Sequence, residues 1–298
     1  MPATRRFRQH RGVVMVVVLF ILAILGVLML EINLSGQESV RRAAMLLDRA
    51  QSRALLKTRE SELLLELLTT LWVPGSASGD DRNGFSARWR FDGQPFVVRE
   101  TTVRLQDVAG LLVMPQPGFT STLPMVERLL GKIGVDSQRS AAIIRYLAGR
   151  MEGVDRVPLQ ELSELAGVDK LTEAEVDKLR QVATLYRLST FNPFTAPPVV
   201  LELLYQGSQL DGLVALRDAG TGSASAFEKI IGNVDLNGFQ FSPGPAFQMD
   251  IEVLGATGSF GAAGIVVVDP YAPEPVTWWF RRGISPAVPQ SVVAVTSQ

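Results

Sequence analysis

The hydropathy pattern opens on an uninterrupted stretch without charge, Val13 to Leu30. Eighteen helical residues at 1.5 Å each reach about 27 Å, close to the thickness of a bilayer's hydrocarbon core. Arg5, Arg6, Arg8 and Arg11 stand before it. Arginines on one flank put the N-terminus in the cytoplasm and the remainder outside the inner membrane. The run exceeds the apolar core of a cleaved secretory signal, and Glu31-Ile32-Asn33-Leu34 follows it in place of a small-x-small cleavage site.

Beyond the run the pattern stays helical. Between Glu31 and Trp72 there is no proline, and Gly36 is the single glycine. Ala43, Leu47, Ala50, Ala54, Ser61, Leu65 and Leu68 recur at spacings of three and four or their multiples, which places them on one helix face. Arg41, Arg42, Asp48, Arg49, Arg53, Lys57, Arg59 and Glu60 are assigned to the other faces. One helix from Val13 to about Trp72 is expected, halted by Pro74-Gly75, with a loop through Gly84.

The period then changes to two. Ala87, Trp89 and Phe91 alternate with Arg88, Arg90 and Asp92, Asp92-Gly93 signals a hairpin, and Phe96-Val97-Val98 begins the return strand. From Leu123 to Gly232 the signals are helical, with segments expected at Leu123–Leu130, Ser137–Leu147, Pro158–Leu165 and Val176–Leu185. Thr172-x-x-Glu175 reads as a capping box, Pro197-Pro198 as a helix start, and Ser225-x-x-Glu228 as a second box. From Phe247 alternation returns, with strands expected at Phe247–Leu254, Gly264–Val268 and Val276–Arg282. Strands on either side of the helical stretch would complete one antiparallel sheet, giving an α+β fold with an inserted α-helical domain.

Composition narrows the chemistry. The chain has 298 residues, no cysteine, a net charge of -1 and one histidine, His10, ahead of the apolar run. Histidine bases, histidine ligands in the folded body, thiolate zinc sites and cysteine nucleophiles are therefore excluded. No G-x-S-x-G elbow, nucleotide loop or metal spacing occurs, and Asp80-Asp81 reads as a solvated loop. The chain is not expected to be an enzyme, and no catalytic or metal site is assigned.

Gly12 directly precedes the apolar run after an arginine-rich leader, which resembles the processing signal of type IV pilins and type II secretion pseudopilins. The resemblance implies that a prepilin peptidase cuts between Gly12 and Val13, and that Val13 is then N-methylated. Most members carry a glutamate at the fifth mature position, where this chain has Val17. A carboxylate in hydrocarbon is costly unless it is paired, and in the family's filaments that glutamate is thought to meet a neighbour's N-terminal amine. The K-type minor pseudopilins (GspK) lack it and carry a helical domain inserted in a pilin-like fold.

The inner motifs also resemble that family. Leu105-Gln106-Asp107-Val108-Ala109-Gly110 matches the start of its D-x-x-G motif, and Asn192-Pro193-Phe194-Thr195-Ala196-Pro197 matches N-x-N-T-A-P. The chain departs from the family at Val113-Met114-Pro115 and at Tyr146–Arg150, where asparagines and acidic residues are usual. Some members bind calcium through acidic groups in the insert. Calcium needs six to eight oxygen ligands, and no comparable acidic cluster is visible, so no cofactor is expected.

The implied organisation is a leader (1–12), the transmembrane part of the helix (13–30), its amphipathic periplasmic part (31–72), a sheet (85–110 and 247–282), an inserted helical domain (120–232) and a tail (283–298). The implied role is that of a minor pseudopilin at the pseudopilus tip, initiating or capping the filament in support of protein export. Its partners would be other minor pseudopilins, the major pseudopilin, the prepilin peptidase and the inner membrane. A minor pilin of a type IV pilus is the near alternative. A membrane-anchored DNA-uptake receptor is the distant one, since Leu130-Gly131-Lys132-Ile133-Gly134 with Ala141 and Ile144 resembles a helix-hairpin-helix. Only Arg128, Lys132, Arg139 and Arg145 are at hand to displace counterions, so no nucleic acid is expected.

Overall fold

The computed structural model describes residues 10–69, 90–117, 121–152, 157–167, 171–219, 222–256 and 258–284. Residues 1–9 of the leader, the loop after the first helix, Ala87, Trp89, Asp80-Asp81 and most of the tail lie outside them. The chain divides into two compact units, one holding residues 1–54 with Gly255–Thr257, the other Leu55–Leu254 with the segment from Gly258 onward.

Helix α1 runs from His10 to Thr69. In the first unit its apolar residues from Met15 to Leu34 are exposed, and Asp48 accepts the Ala256 backbone N–H at 3.0 Å. In the second unit Leu63 and Leu67 are buried, with Leu56, Leu64 and Leu68 packed beside them.

The buried face of α1 is not the line of small residues. Ala54, Ser61 and Leu65 point to solvent, whereas Glu60, assigned to a polar face, is buried. The Arg281 Nη2 lies 2.6 Å from Glu60 Oε2, which lets a carboxylate sit among leucines. Burial raises the pKa of Glu60, and the Arg281 guanidinium works against that rise. At 100° per residue, Leu56, Glu60, Leu63 and Leu67 lie roughly opposite the Ala54–Ser61–Leu65 line.

Five strands form the main sheet in the order β1-β2-β5-β6-β7: β1 Phe96–Val98, β2 Thr101–Asp107, β5 Ala246–Gly255, β6 Gly258–Val268 and β7 Val276–Ile284. Phe247, Met249 and Ile251 alternate onto the core under Leu63 and Leu67, as the period of two requires. Strand β6 begins at Gly258, where a connection through Gly264 was expected. Glycine and alanine in that stretch hide its strand character from a propensity reading.

The hairpin turn also falls elsewhere. Asp92 forms an isolated bridge with Gln106, and the chain reverses at Arg99-Glu100, with φ of 43° and 67°. Two positive φ values are what a two-residue hairpin loop demands, and neither residue type favours them. Glu100→Gly is expected to raise unfolding free energy by about 0.5–1 kcal/mol, read from the denaturant midpoint at unchanged slope.

Strand β7 carries a bulge. Phe280 pairs with Ile265 and Trp278 with Val266, so Trp279 is the extra residue. Trp278 packs into the core while Trp279 stacks on Tyr186, centroids 4.8 Å apart.

Between β2 and β5 the chain builds the helical insert: α2 Leu123–Lys132, α3 Ser137–Glu152, α4 Glu173–Arg180, α5 Pro198–Leu204, α6 Gly207–Ala219 and α7 Ala224–Ile231, with a short parallel pair, β3 Leu112–Val113 and β4 Ala183–Thr184. The Thr172–Glu175 capping box is formed. Arg139 holds the same glutamate at 2.7 Å, and with the cap it lowers the Glu175 pKa to about 2. Three expectations are corrected. Pro158–Leu165 supplies only a 3-10 segment at Leu162–Gly167, α4 stops at Arg180 before β4, and α7 is capped by Ser223, whose side chain accepts from Ala226 N–H, rather than by Ser225. The insert has its own apolar cores, one around Leu129, Ile143, Leu165 and Leu179 and one around Phe194, Leu213 and Phe227.

Candidate functional site

Among the described residues, α1 is the one helix long and apolar enough to cross a membrane, with a mean hydropathy of 3.0 and none of that window buried. Val17, where a family glutamate would stand, is 51% exposed on it. Gly12 and Val13 lie within the helical backbone, which begins at His10; their side chains lie outside the described set. Further along α1, Ala43, Leu47, Ala50 and Ala54 are exposed in the first unit, and Ser61 and Leu65 in the second. Small side chains of this kind let another helix approach closely.

The two inner motifs, far apart in sequence, meet in the second unit. Asp107, at the end of β2, is fully buried, and Oδ1 accepts the Ala109 N–H at 3.0 Å. Its Oδ2 accepts from Asn192 Nδ2 at 3.0 Å and from Thr195 Oγ1 at 2.9 Å, and the Gly244 N–H is a fourth donor. Burial raises the Asp107 pKa, and these donors offset part of the rise. Asn192 N–H donates to Ala109 O at 2.9 Å, and Gln106 Nε2 to Thr195 O at 2.9 Å. Gly110 is required by contact, since a Cβ there would sit 2.7 Å from the Thr195 carbonyl and 2.8 Å from Ala196 N. The carboxylate thus clasps the chain where it leaves the sheet, where it crosses the insert, and where it returns at Gly244.

The helix-hairpin-helix segment is built as such, α2 and α3 joined through Gly134 at φ 99°. Its anion-binding chemistry is already occupied. Asp136 caps the start of α3 by accepting the Arg139 N–H at 3.0 Å. Lys132 pairs with Glu202 at 2.6 Å, Arg139 with Glu175, and Arg128 donates to Leu203 O. Arg128 and Arg145, the latter bonded to its own helix at Ala141 O, meet backbone carbonyls rather than acids. Among the described residues no three His, Cys, Asp or Glu side chains gather as a metal would need.

No family model matches the chain, and no curated protein does. Among solved structures, a chain of the crystal structure of the GspK-GspI-GspJ complex from the enterotoxigenic Escherichia coli type 2 secretion system superposes with a TM-score of 0.50 at 13% identity. The match covers 82% of this chain and 99% of that one. The fold is pilin-like. At this identity the likeness concerns fold alone, and it spans both the sheet and additional helices. In this pilin-like fold the Asp107–Asn192–Thr195 clasp is structural, and the apolar run of α1 is exposed. The sequence motifs pointed to the clasp residues without disclosing that they touch. Gly244 had no signal of its own.

Proposed function

We propose that the chain is a minor pseudopilin of a type II secretion system, at the tip of the periplasmic pseudopilus, where it initiates or caps the filament. The observation that carries this reading is the pilin-like fold with a helical insert, joined to a helix whose apolar run and small-residue face stay exposed. A helix of that kind is stored in the membrane until other helices replace lipid around it. Val17 brings no carboxylate that a neighbour's amine could neutralise, so the chain lacks one contact a repeating subunit uses. The insert adds bulk that a repeating subunit would have to accommodate at every step. The role is mechanical and recognitional, with no chemistry of its own. Its partners are other minor pseudopilins.

Processing tests it. Gly12→Leu is expected to leave an uncut precursor in the membrane fraction when the prepilin peptidase is co-expressed, while the parent chain gains gel mobility and co-purifies with other pseudopilins. Equal mobility of the two, or co-purification of neither, refutes the reading. Loss of piliation rather than of protein export on deletion would assign the chain to a type IV pilus instead.

A further inference from the structure

Within the second unit a cleft lies between the helical insert and the outer face of the main sheet. The insert contributes Glu161, Leu162, Arg180 and the stretch from Ala183 to Tyr186. The sheet contributes Asp250 of β5, Ala263 of β6, and Phe280 and Arg282 of β7. Asp250 alternates with Met249 and Ile251, which face the core, so it stands on the other side of the sheet. The empty space is about 580 Å³, counting the part open to solvent.

Four charged side chains line the cleft, and two of them answer each other. Arg180 lies 3.4 Å from Glu161. Asp250 and Arg282 have no ion pair and no side-chain hydrogen bond among the described residues. Their strands flank β6, so their backbones are about 10 Å apart. Ala263 pairs with Arg282 in the sheet, and its methyl group fills little of that gap. Burial raises the Asp250 pKa, and Arg282 is the strongest influence against the rise, ahead of Arg104. Arg104 stands opposite Asp250 on β2 and outside the cleft.

The charges left over in the cleft are therefore one of each sign. A plain anion would satisfy Arg282 and be repelled by Asp250, and a plain cation would do the reverse. Either would leave a half-buried charge unmatched, which is costly. A ligand carrying both an ammonium and a carboxylate meets both groups through charge-assisted hydrogen bonds. The rest of the wall is apolar, from Leu162, Leu185, Ile265 and Phe280, and accepts a hydrocarbon side chain. We propose that this cleft binds a free α-amino acid with an apolar side chain, its ammonium on Asp250 and its carboxylate on Arg282.

Saturation-transfer NMR on the full chain in neutral detergent tests this with leucine as the probe. Leucine is expected to bind with a Kd of about 0.1–1 mM, the range open to a ligand of its size. Leucinamide, which lacks the carboxylate, and 4-methylpentanoate, which lacks the ammonium, should each bind about tenfold more weakly or worse. D250N and R282Q should each weaken leucine by a similar factor, while R104Q and R145Q should leave it unchanged. The ligand series is read on the unaltered chain, so it decides the matter even where a variant fails to fold. No binding of leucine at about 10 mM, equal binding of leucine and either half-ligand, or full binding by folded D250N and R282Q overturns the proposal. Tighter binding of glucose than of leucine overturns it as well and assigns the cleft to a neutral polyol. Failed processing after Gly12 would sink the pseudopilin reading and leave this site standing.

Discussion

Gly110→Ala is expected to cost about 3 kcal/mol or more of unfolding free energy, although it adds a single methyl group. That methyl would have to enter the space of the Thr195 carbonyl and the Ala196 nitrogen, at 2.7 and 2.8 Å. These are backbone atoms, and they are fixed. Thr195 O accepts from Gln106 and Thr195 Oγ1 donates to Asp107, so relief requires breaking the clasp. Gly131→Ala is the matched control: it lies in α2 with nothing within 4 Å of a new Cβ, and should be neutral or slightly stabilising. Denaturant midpoints of the two variants should move in opposite directions or differ by the full amount. Equal midpoints would mean that the two motifs are not in contact.

Asp107→Asn is expected to lose about 2–4 kcal/mol at neutral pH, despite its near-identical shape. Four groups donate to the carboxylate, and an amide would turn its own NH2 toward some of them, leaving buried donors face to face. The pH dependence carries a second signature. Because burial holds the native carboxyl above the usual carboxylate range, ionising it costs the folded chain more than the unfolded one. Its contribution is fully present below the unfolded value and fades as pH rises through the native one. Unfolding titrations from acid toward neutral should show this downward component in the parent chain and not in Asp107→Asn. An identical slope in both would remove Asp107 as its source.

These two residues also show what could be read from the sequence. Leu105–Gly110 and Asn192–Pro197 stood out by resemblance, and the fold class followed from the order of periodicities: one long helix, strands, helices, strands. Their contact depends on tertiary placement that no local pattern encodes. Elsewhere the local signal misled. The Asp92-Gly93 pair looks like a turn, yet the reversal is at Arg99-Glu100, where tertiary pairing of β1 with β2 forces positive φ on residues that resist it. Glu60 looked solvent-facing because its counter-charge, Arg281, comes from the far end of the chain. Helix α6 went unnoticed because Gly207 and Gly212 dilute its pattern and only Leu213 is fully buried. For the exposed length of α1 the sequence was the better guide: the apolar run and the line of small residues were both legible. Of that line Leu68 packs beside the core, while Ala43, Leu47, Ala50, Ala54, Ser61 and Leu65 face outward.

Strands β2 and β5 are antiparallel neighbours with Asp107 opposite Phe247, so the insert departs and returns across a single interstrand gap. A gap of about 5 Å is what an ordinary hairpin turn closes. The insert keeps its own cores, and the sheet keeps its own. Everything from Val108 to Pro245 is therefore a single detour from one seam of the sheet, riveted at its base by the four donors to Asp107 and braced by Tyr186 on Trp279, so lifting it off would strip that buried carboxyl of those donors.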